Sequence, residues 1–107
     1  MSDVDERTGT APAGNGPGRL SREFTILNQR GLHARASAKF VQLAGTFGAA
    51  LTVERDGIGV GGTSIMGLMM LAAGPGTTIR VSAEGPDAAE ALDAVGRLIG
   101  CRFGEDC

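Results

Sequence analysis

The 107-residue sequence has few aromatic residues, with four phenylalanines and neither tryptophan nor tyrosine. A hydrophobic core must therefore be built from aliphatic side chains, and a hydrophobic content of 42% allows one small core. The sequence also lacks a surplus of either charge, since its formal net charge is -2. Proteins that bind nucleic acid generally have a clear basic surplus, so the composition argues against this class.

Long hydrophobic runs are absent, and no segment approaches the roughly 20 apolar residues that cross a bilayer. Residues 2–6 are acidic and no apolar stretch follows them, which is unlike a secretory signal peptide. We therefore expect a cytoplasmic protein without membrane insertion.

Cysteine is scarce, and the two cysteines, Cys101 and Cys107, lie close to the C-terminus without forming a CxxC motif. Because the chain contains one histidine, distant in sequence, these residues do not make a zinc-binding set. We expect two free thiols on a C-terminal tail, and neither a metal nor a cofactor.

The composition changes near residue 22. Residues 8–18 are rich in glycine and proline and contain no large apolar side chain, so burial cannot offset the entropy of ordering them. We predict a disordered tail over residues 1–21, one domain over residues 22–103 and a short tail over residues 104–107.

Periodicity within residues 22–103 predicts four strands and three helices. The dipeptide Asp56-Gly57 between two strands is a strong hairpin signal. The predicted segments are a strand over 22–28, a helix over 34–47, strands over 51–54 and 58–60, a helix over 65–71, a strand over 78–83 and a helix over 88–99. This order indicates an α+β fold, in which a four-stranded antiparallel sheet is covered by three helices on one side.

Three local patterns refine this prediction. A period near 3.6 predicts the apolar face of the first long helix, which contains Ala34, Ala38, Phe40, Val41, Leu43, Ala44 and Phe47. Asp87 and Glu90 resemble a capping box before the last helix. The glycines between residues 57 and 62 form a GxGxxG pattern, but they lie in a hairpin and we interpret them as turn and bulge residues.

His33 is the only histidine, and it lies where a predicted strand ends and a helix begins. Amide groups of a first helical turn lack acceptors within the helix, so a helix start can bind an anion. A neutral imidazole offers a nitrogen lone pair, and Arg35 adds a guanidinium suited to phosphate oxygens. These features together favour phosphoryl acceptance. The alternative is a structural or merely exposed histidine beside a solvated arginine.

Ser64 precedes a short helix that it can cap. Nearly every residue of that helix is apolar, which is more than one face of a small domain can bury. We therefore predict that Ile65, Met66 and Met69 form an exposed contact patch for partner proteins. The alternative is a fully buried helix for which Ser64 is only a cap.

Three segments resemble the HPr family, the phosphocarriers of the bacterial phosphotransferase system. Residues 31–35, GLHAR, resemble the phosphorylation-site signature of the family. Residues 64–69, SIMGLM, resemble its regulatory serine segment, and residues 82–85, SAEG, resemble its C-terminal part. Two differences are that Ala36 stands where many members have proline and Thr63 where a basic residue often precedes the serine.

The resemblance implies an open-faced β-sandwich and a phosphocarrier rather than a catalyst. It implies that His33 accepts a phosphoryl group from a phosphoenolpyruvate-dependent enzyme I and passes it to an enzyme IIA-type protein, with Arg35 stabilising the phosphate. It also implies that HPr kinase/phosphorylase modifies Ser64. We expect a monomer that serves either sugar uptake or a nitrogen-type regulatory relay.

An alternative function is that of a purely regulatory protein-binding module, acting through Ser64 and the exposed Ile/Met patch. Relatives specialised for regulation lack the histidine, so the presence of His33 favours the phosphocarrier.

Overall fold

The elements follow the predicted order β-α-β-β-α-β-α. The computed structural model describes residues 19–104. The elements are β1 (Arg19–Thr25), α1 (Ala34–Ala44), β2 (Ala50–Arg55), β3 (Ile58–Gly61), α2 (Ile65–Met70), β4 (Thr78–Glu84), α3 (Ala88–Gly100) and a final turn, Arg102–Gly104. No helix in this part of the chain is both long and apolar enough to cross a membrane.

The four strands form one antiparallel sheet in the order β1-β4-β2-β3. Strand β4 lies inside the sheet, where Val81 pairs with Arg22 of β1 and with Val53 of β2. Alternate residues of β4 are buried, because one face of the sheet packs against the helices while the other stays open. The predicted fold class, an open-faced α+β sandwich, is therefore confirmed.

Strand β1 begins earlier than predicted, because residues 19–21 belong to it and not to a disordered tail. The reason is the length of its partner: β4 extends to Glu84, which pairs with Arg19. The hydroxyls of Ser21 and Ser82 are also hydrogen-bonded at 2.9 Å. Residues 1–18 and 105–107, which make up the remainder of the two predicted tails, lie outside the described residues.

Helix α1 ends at Ala44, before residue 47. Its predicted apolar face is correct in part, because Phe40 and Ala44 are buried and Val41, Leu43 and Phe47 pack against the core. Its buried residues are Ala36, Ser37, Phe40 and Ala44. Ala34, which was assigned to the apolar face, is exposed. Ser37 tolerates complete burial because its hydroxyl donates a hydrogen bond to the carbonyl of Leu32 at 3.2 Å.

The predicted capping box at the start of α3 is wrong. Asp87 occupies the N-cap position, but its side chain makes no hydrogen bond to the helix. Its carboxylate instead accepts from the backbone N–H of Gly48 at 2.6 Å. Asp87 therefore ties the start of α3 to the loop between α1 and β2.

The hairpin between β2 and β3 is confirmed. Arg55 pairs with Ile58, and the two-residue loop between them has Asp56 at φ +53° and Gly57 at φ +82°. The Arg55 guanidinium then reaches the end of α2, where it donates to the carbonyl of Leu71 at 2.8 Å. A cation is favourable at a helix C-terminus, so the hairpin fixes the end of α2.

Ala72, the second residue after α2, has φ +53°, a left-handed conformation that costs a residue with a Cβ about 1–2 kcal/mol. We predict that Ala72→Gly raises the free energy of unfolding by about 1 kcal/mol, since glycine adopts this conformation freely. Urea denaturation measures the change. The control Ala38→Gly, within helix α1, should lower the same quantity by about 1 kcal/mol. Equal losses in both variants would contradict the prediction.

Candidate functional site

His33 is the N-cap residue of α1. Its backbone carbonyl accepts the first helical hydrogen bond, from Ser37 N–H at 2.9 Å, while its half-buried ring lies beyond the helix end. The ring atom Nδ1 lies 3.1 Å from the carbonyl oxygen of Gly31. The His33 side chain does not cap the helix, so among the described residues the first-turn amides remain available to an anion.

The loop before His33 is fixed by backbone contacts. Gly31 N–H donates to Asn28 at 3.1 Å, and the buried Asn28 amide donates back to the Gly31 carbonyl at 2.8 Å. Gly31 has φ +61°, and a Cβ there would overlap the carbonyl oxygen of Ala73. That oxygen also accepts from Leu32 N–H at 3.0 Å. Residue 31 must therefore be glycine for the loop to lie against the end of α2.

Within the part of the chain that the structure describes, two surface depressions adjoin His33. The first, which we call the cationic depression, has a volume of about 100 Å³ and is lined by Arg30, His33, Arg35, Ala36, Lys39, Phe103 and Gly104. The second, the apolar depression, has a volume of about 260 Å³ and is lined by Arg30, Leu32, His33, Met69, Ala72, Ala73 and Gly74. The ring is therefore accessible from two sides of different chemical character.

The cationic depression brings His33 and Arg35 together, as predicted from the sequence. It also contains Arg30 and Lys39, which no motif in the sequence singles out, and none of the described residues that line it is acidic. Arg30, Arg35 and Lys39 form no ion pair within residues 19–104, where the ion pairs involve other arginines. Their positive charges are thus available to an anionic group on the ring.

Ser64 caps α2 as predicted, because its hydroxyl accepts from the backbone N–H of Gly67 at 3.0 Å. The Ser64 side chain is exposed. The cap therefore leaves this hydroxyl accessible at the surface.

Helix α2 is anchored by Leu68, which is completely buried, and by Leu71 at its end. The predicted patch is exposed, with solvent-accessible fractions of 39% for Ile65, 71% for Met66 and 41% for Met69. Met70 extends it at 76%. We call these four residues the α2 patch, and Met69 connects it to the apolar depression beside His33.

The sequence of this domain matches a known protein family. The family model described as the phosphorylation site of the HPr component of the phosphotransferase system matches residues 20–100. The chain belongs to the HPr family. The match includes His33 and all of the main elements except the first residue of β1. HPr proteins are phosphocarriers and not catalysts, in agreement with the sequence-based expectation.

Individual relatives support this membership. The chain is 55% identical over 86 residues to the phosphocarrier protein HPr of Cupriavidus necator, covering 80% of this chain and 97% of the relative. It is 41% identical over 87 residues to the phosphocarrier protein NPr of Shewanella violacea, covering 81% of this chain and 96% of the relative. A crystal structure of HPr-C-His from Thermoanaerobacter tengcongensis superimposes with a TM-score of 0.77 at 42% identity, covering 82% of this chain and 99% of that one.

The thiol of Cys101 lies at the C-cap of α3 and not on the predicted C-terminal tail. Cys101 is free and half-buried at the end of α3, and it lines neither depression. Cys107 lies outside the described residues.

We predict that Gly31→Ala lowers the free energy of unfolding by about 2 kcal/mol or more, because the new methyl group meets the Ala73 carbonyl at a positive φ. It should also shift the imidazole NMR signals of His33. The matched control is Gly74→Ala in the opposing loop, where a Cβ has no neighbour within 4 Å. This control should change stability by no more than about 0.5 kcal/mol. Similar behaviour of the two variants would refute the packing argument.

Proposed function

We propose that this HPr protein accepts a phosphoryl group on a ring nitrogen of His33 from enzyme I and transfers it to an enzyme IIA-type protein. The observation that carries the proposal is the position of the ring, at an uncapped helix N-terminus and in a depression lined by three cationic side chains. A nucleophilic nitrogen beside an anion-binding surface is the minimum requirement for a carrier of this kind.

The transfer step exchanges one bond to phosphorus for another. The lone pair of a neutral ring nitrogen attacks phosphorus, and a nitrogen–phosphorus bond forms as the bond between phosphorus and its donor atom breaks. The donor atom keeps that electron pair. Three equatorial oxygens share the negative charge during the step, so fixed positive charges around them lower the barrier.

Arg35 supplies one of these charges. It is the second residue of α1, is exposed and lines the cationic depression together with the His33 ring. Its planar guanidinium can donate two parallel hydrogen bonds to phosphoryl oxygens. Because Arg35 is not part of the buried face of α1, we assign it a role in transfer and not in folding.

The α2 patch supplies the contact with partner proteins. Exposed methionine and isoleucine side chains adapt to different surfaces, which suits a carrier that must bind a donor and an acceptor in turn. The patch adjoins the ring through Met69, so a protein docked on it would approach His33 from the apolar depression.

We predict that His33→Ala abolishes acid-labile phosphate incorporation when the protein is incubated with phosphoenolpyruvate and its cognate enzyme I. Arg35→Ala should slow transfer while changing the free energy of unfolding by no more than about 0.5 kcal/mol. The control is Arg97→Met, because Arg97 is exposed on α3 and lines neither depression. Labile phosphate on His33→Ala at the wild-type level would disprove the assignment.

Regulation is a separate part of the proposal, in which HPr kinase/phosphorylase phosphorylates Ser64. The exposed hydroxyl is accessible to a kinase. A phosphate there adds about -1.5 to -2 charge next to Ile65 and Met66, and removing this charge from water against an apolar surface is unfavourable. Phosphorylation should therefore weaken docking at the α2 patch without refolding the domain.

Two substitutions at Ser64 distinguish the effect of losing the helix cap from the effect of adding a negative charge. Ser64→Ala removes the cap, so it should cost about 1 kcal/mol of stability and leave the transfer rate unchanged. Ser64→Asp keeps a capping side chain and adds a charge, so it should preserve stability but raise the KM for this protein in the enzyme I reaction several-fold. Kinase-modified protein should show a larger increase. An unchanged KM for the kinase-modified protein would eliminate the regulatory role.

A further inference from the structure

The C-terminal turn packs firmly against the domain. Arg102 and Phe103 both have positive φ values, +53° and +54°, and Gly104 follows at +85°. Two consecutive left-handed residues with side chains are costly, and such a conformation persists only where surrounding contacts impose it. The contact is the Phe103 side chain, which is 2% exposed within the hydrophobic core. Burial of Phe103 therefore determines where its backbone carbonyl points.

That carbonyl accepts a hydrogen bond from Lys39. The distance from Lys39 Nζ to the Phe103 oxygen is 2.7 Å, and Lys39 is half-buried on α1. Gly104 leaves the space that the ammonium occupies, because a Cβ at residue 104 would lie 2.6 Å from Nζ. Among the described residues, the turn is thus what fixes the position of the ammonium.

The hydrogen bond to Phe103 leaves further donors on Lys39. A carbonyl is a neutral acceptor, and one hydrogen bond uses one of the three N–H groups of an ammonium. Lys39 makes no ion pair with an acidic side chain in residues 19–104. Within residues 19–104, two donors of Lys39 therefore remain without an acceptor, at the wall of the cationic depression that also contains the His33 ring.

We propose that Lys39 is a phosphoryl-binding residue of this carrier, and that the turn around Phe103 positions it. During transfer its ammonium contacts oxygens of the phosphoryl group on His33. It donates hydrogen bonds without giving up a proton and forms no covalent bond, so the balance of the transfer step is unchanged. Phe103 and Gly104 are positioning residues. This inference rests on the proposed transfer through His33.

The sequence makes the proposal directly measurable, because Lys39 is the only lysine of the chain. Protein labelled with 15N-lysine gives one side-chain ammonium signal, recorded with and without phosphorylation by enzyme I and phosphoenolpyruvate. We expect this signal to shift on phosphorylation of the wild-type protein and to stay unchanged in His33→Ala treated in the same way. A lysine that only ties down the C-terminal turn would give the same signal in both states.

Kinetics test the same contact. Lys39→Met should lower kcat/KM for transfer from enzyme I about 5- to 10-fold and shift the phosphoryl equilibrium towards enzyme I. Lys39→Arg should retain most of the wild-type kcat/KM and phosphoryl equilibrium, and Arg97→Met should change neither quantity. Gly104→Ala keeps the lysine but displaces its ammonium, so it should give an intermediate loss. Lys39→Arg and Gly104→Ala preserve the positive charge and the Phe103 side chain. Their kinetics therefore test the role of Lys39 in phosphoryl binding even if Lys39→Met is unstable.

The outcomes separate this inference from the function on which it rests. If the wild-type protein takes up no phosphate on His33, the proposed transfer itself is wrong. If the wild type is phosphorylated normally, but Lys39→Met and Gly104→Ala match Arg97→Met and the lysine signal does not move, Lys39 has no part in binding the phosphoryl group.

Discussion

The contact on which the site depends is one between two backbone segments. The loop before His33 lies against the end of α2 so closely that residue 31 has no room for a side chain, and Leu32 N–H donates to the Ala73 carbonyl at 3.0 Å. This contact sets the distance between the N-terminus of α1 and the α2 patch. The His33 imidazole and the α2 patch are therefore held close together, although they come from two separate parts of the sequence.

The two depressions beside the ring differ in chemical character, although Arg30 lines both. In the proposed function, the cationic depression holds the phosphoryl group, and the mainly apolar one faces the proteins that deliver and receive it. A carrier must release each partner before it meets the next, which favours a small and adaptable surface over an extensive one. The α2 patch, built on a six-residue helix, has this character.

Local sequence signals predicted most of the fold. Alternation located the strands, Asp56-Gly57 located the hairpin and Ser64 located the start of α2, because each depends on residues close together in the chain. The errors concern groups whose partners are distant. The Asp87 carboxylate accepts from Gly48, 39 positions earlier, and not from its own helix, and the first residue of β1, Arg19, pairs with Glu84.

The same limitation applies to the site. His33, Arg35 and Ser64 were identified because they lie at helix starts within short motifs. Lys39, which also lines the cationic depression, lies six positions after His33 and outside the short motif over residues 31–35. Its hydrogen-bond partner, Phe103, is at the other end of the domain, so no local pattern in the sequence points to it. The one signal available in the sequence is that Lys39 is the only lysine and lies in a predicted amphipathic helix. The strand order explains the early start of β1 in a similar way, since Arg19 is ordered by a partner, Glu84, near the end of the domain.

The strand order of the sheet also has a consequence for synthesis on the ribosome. β4 is the last strand to be translated, yet it lies between β1 and β2, and the Ser21–Ser82 pair closes a separation of 61 positions. Until residue 84 has left the exit tunnel, β1 has no neighbour, and the β2–β3 hairpin is the only part of the sheet that can pair locally. Such a nascent chain exposes half-formed apolar surface through most of its translation, so the domain acquires its cooperativity late and in a single event.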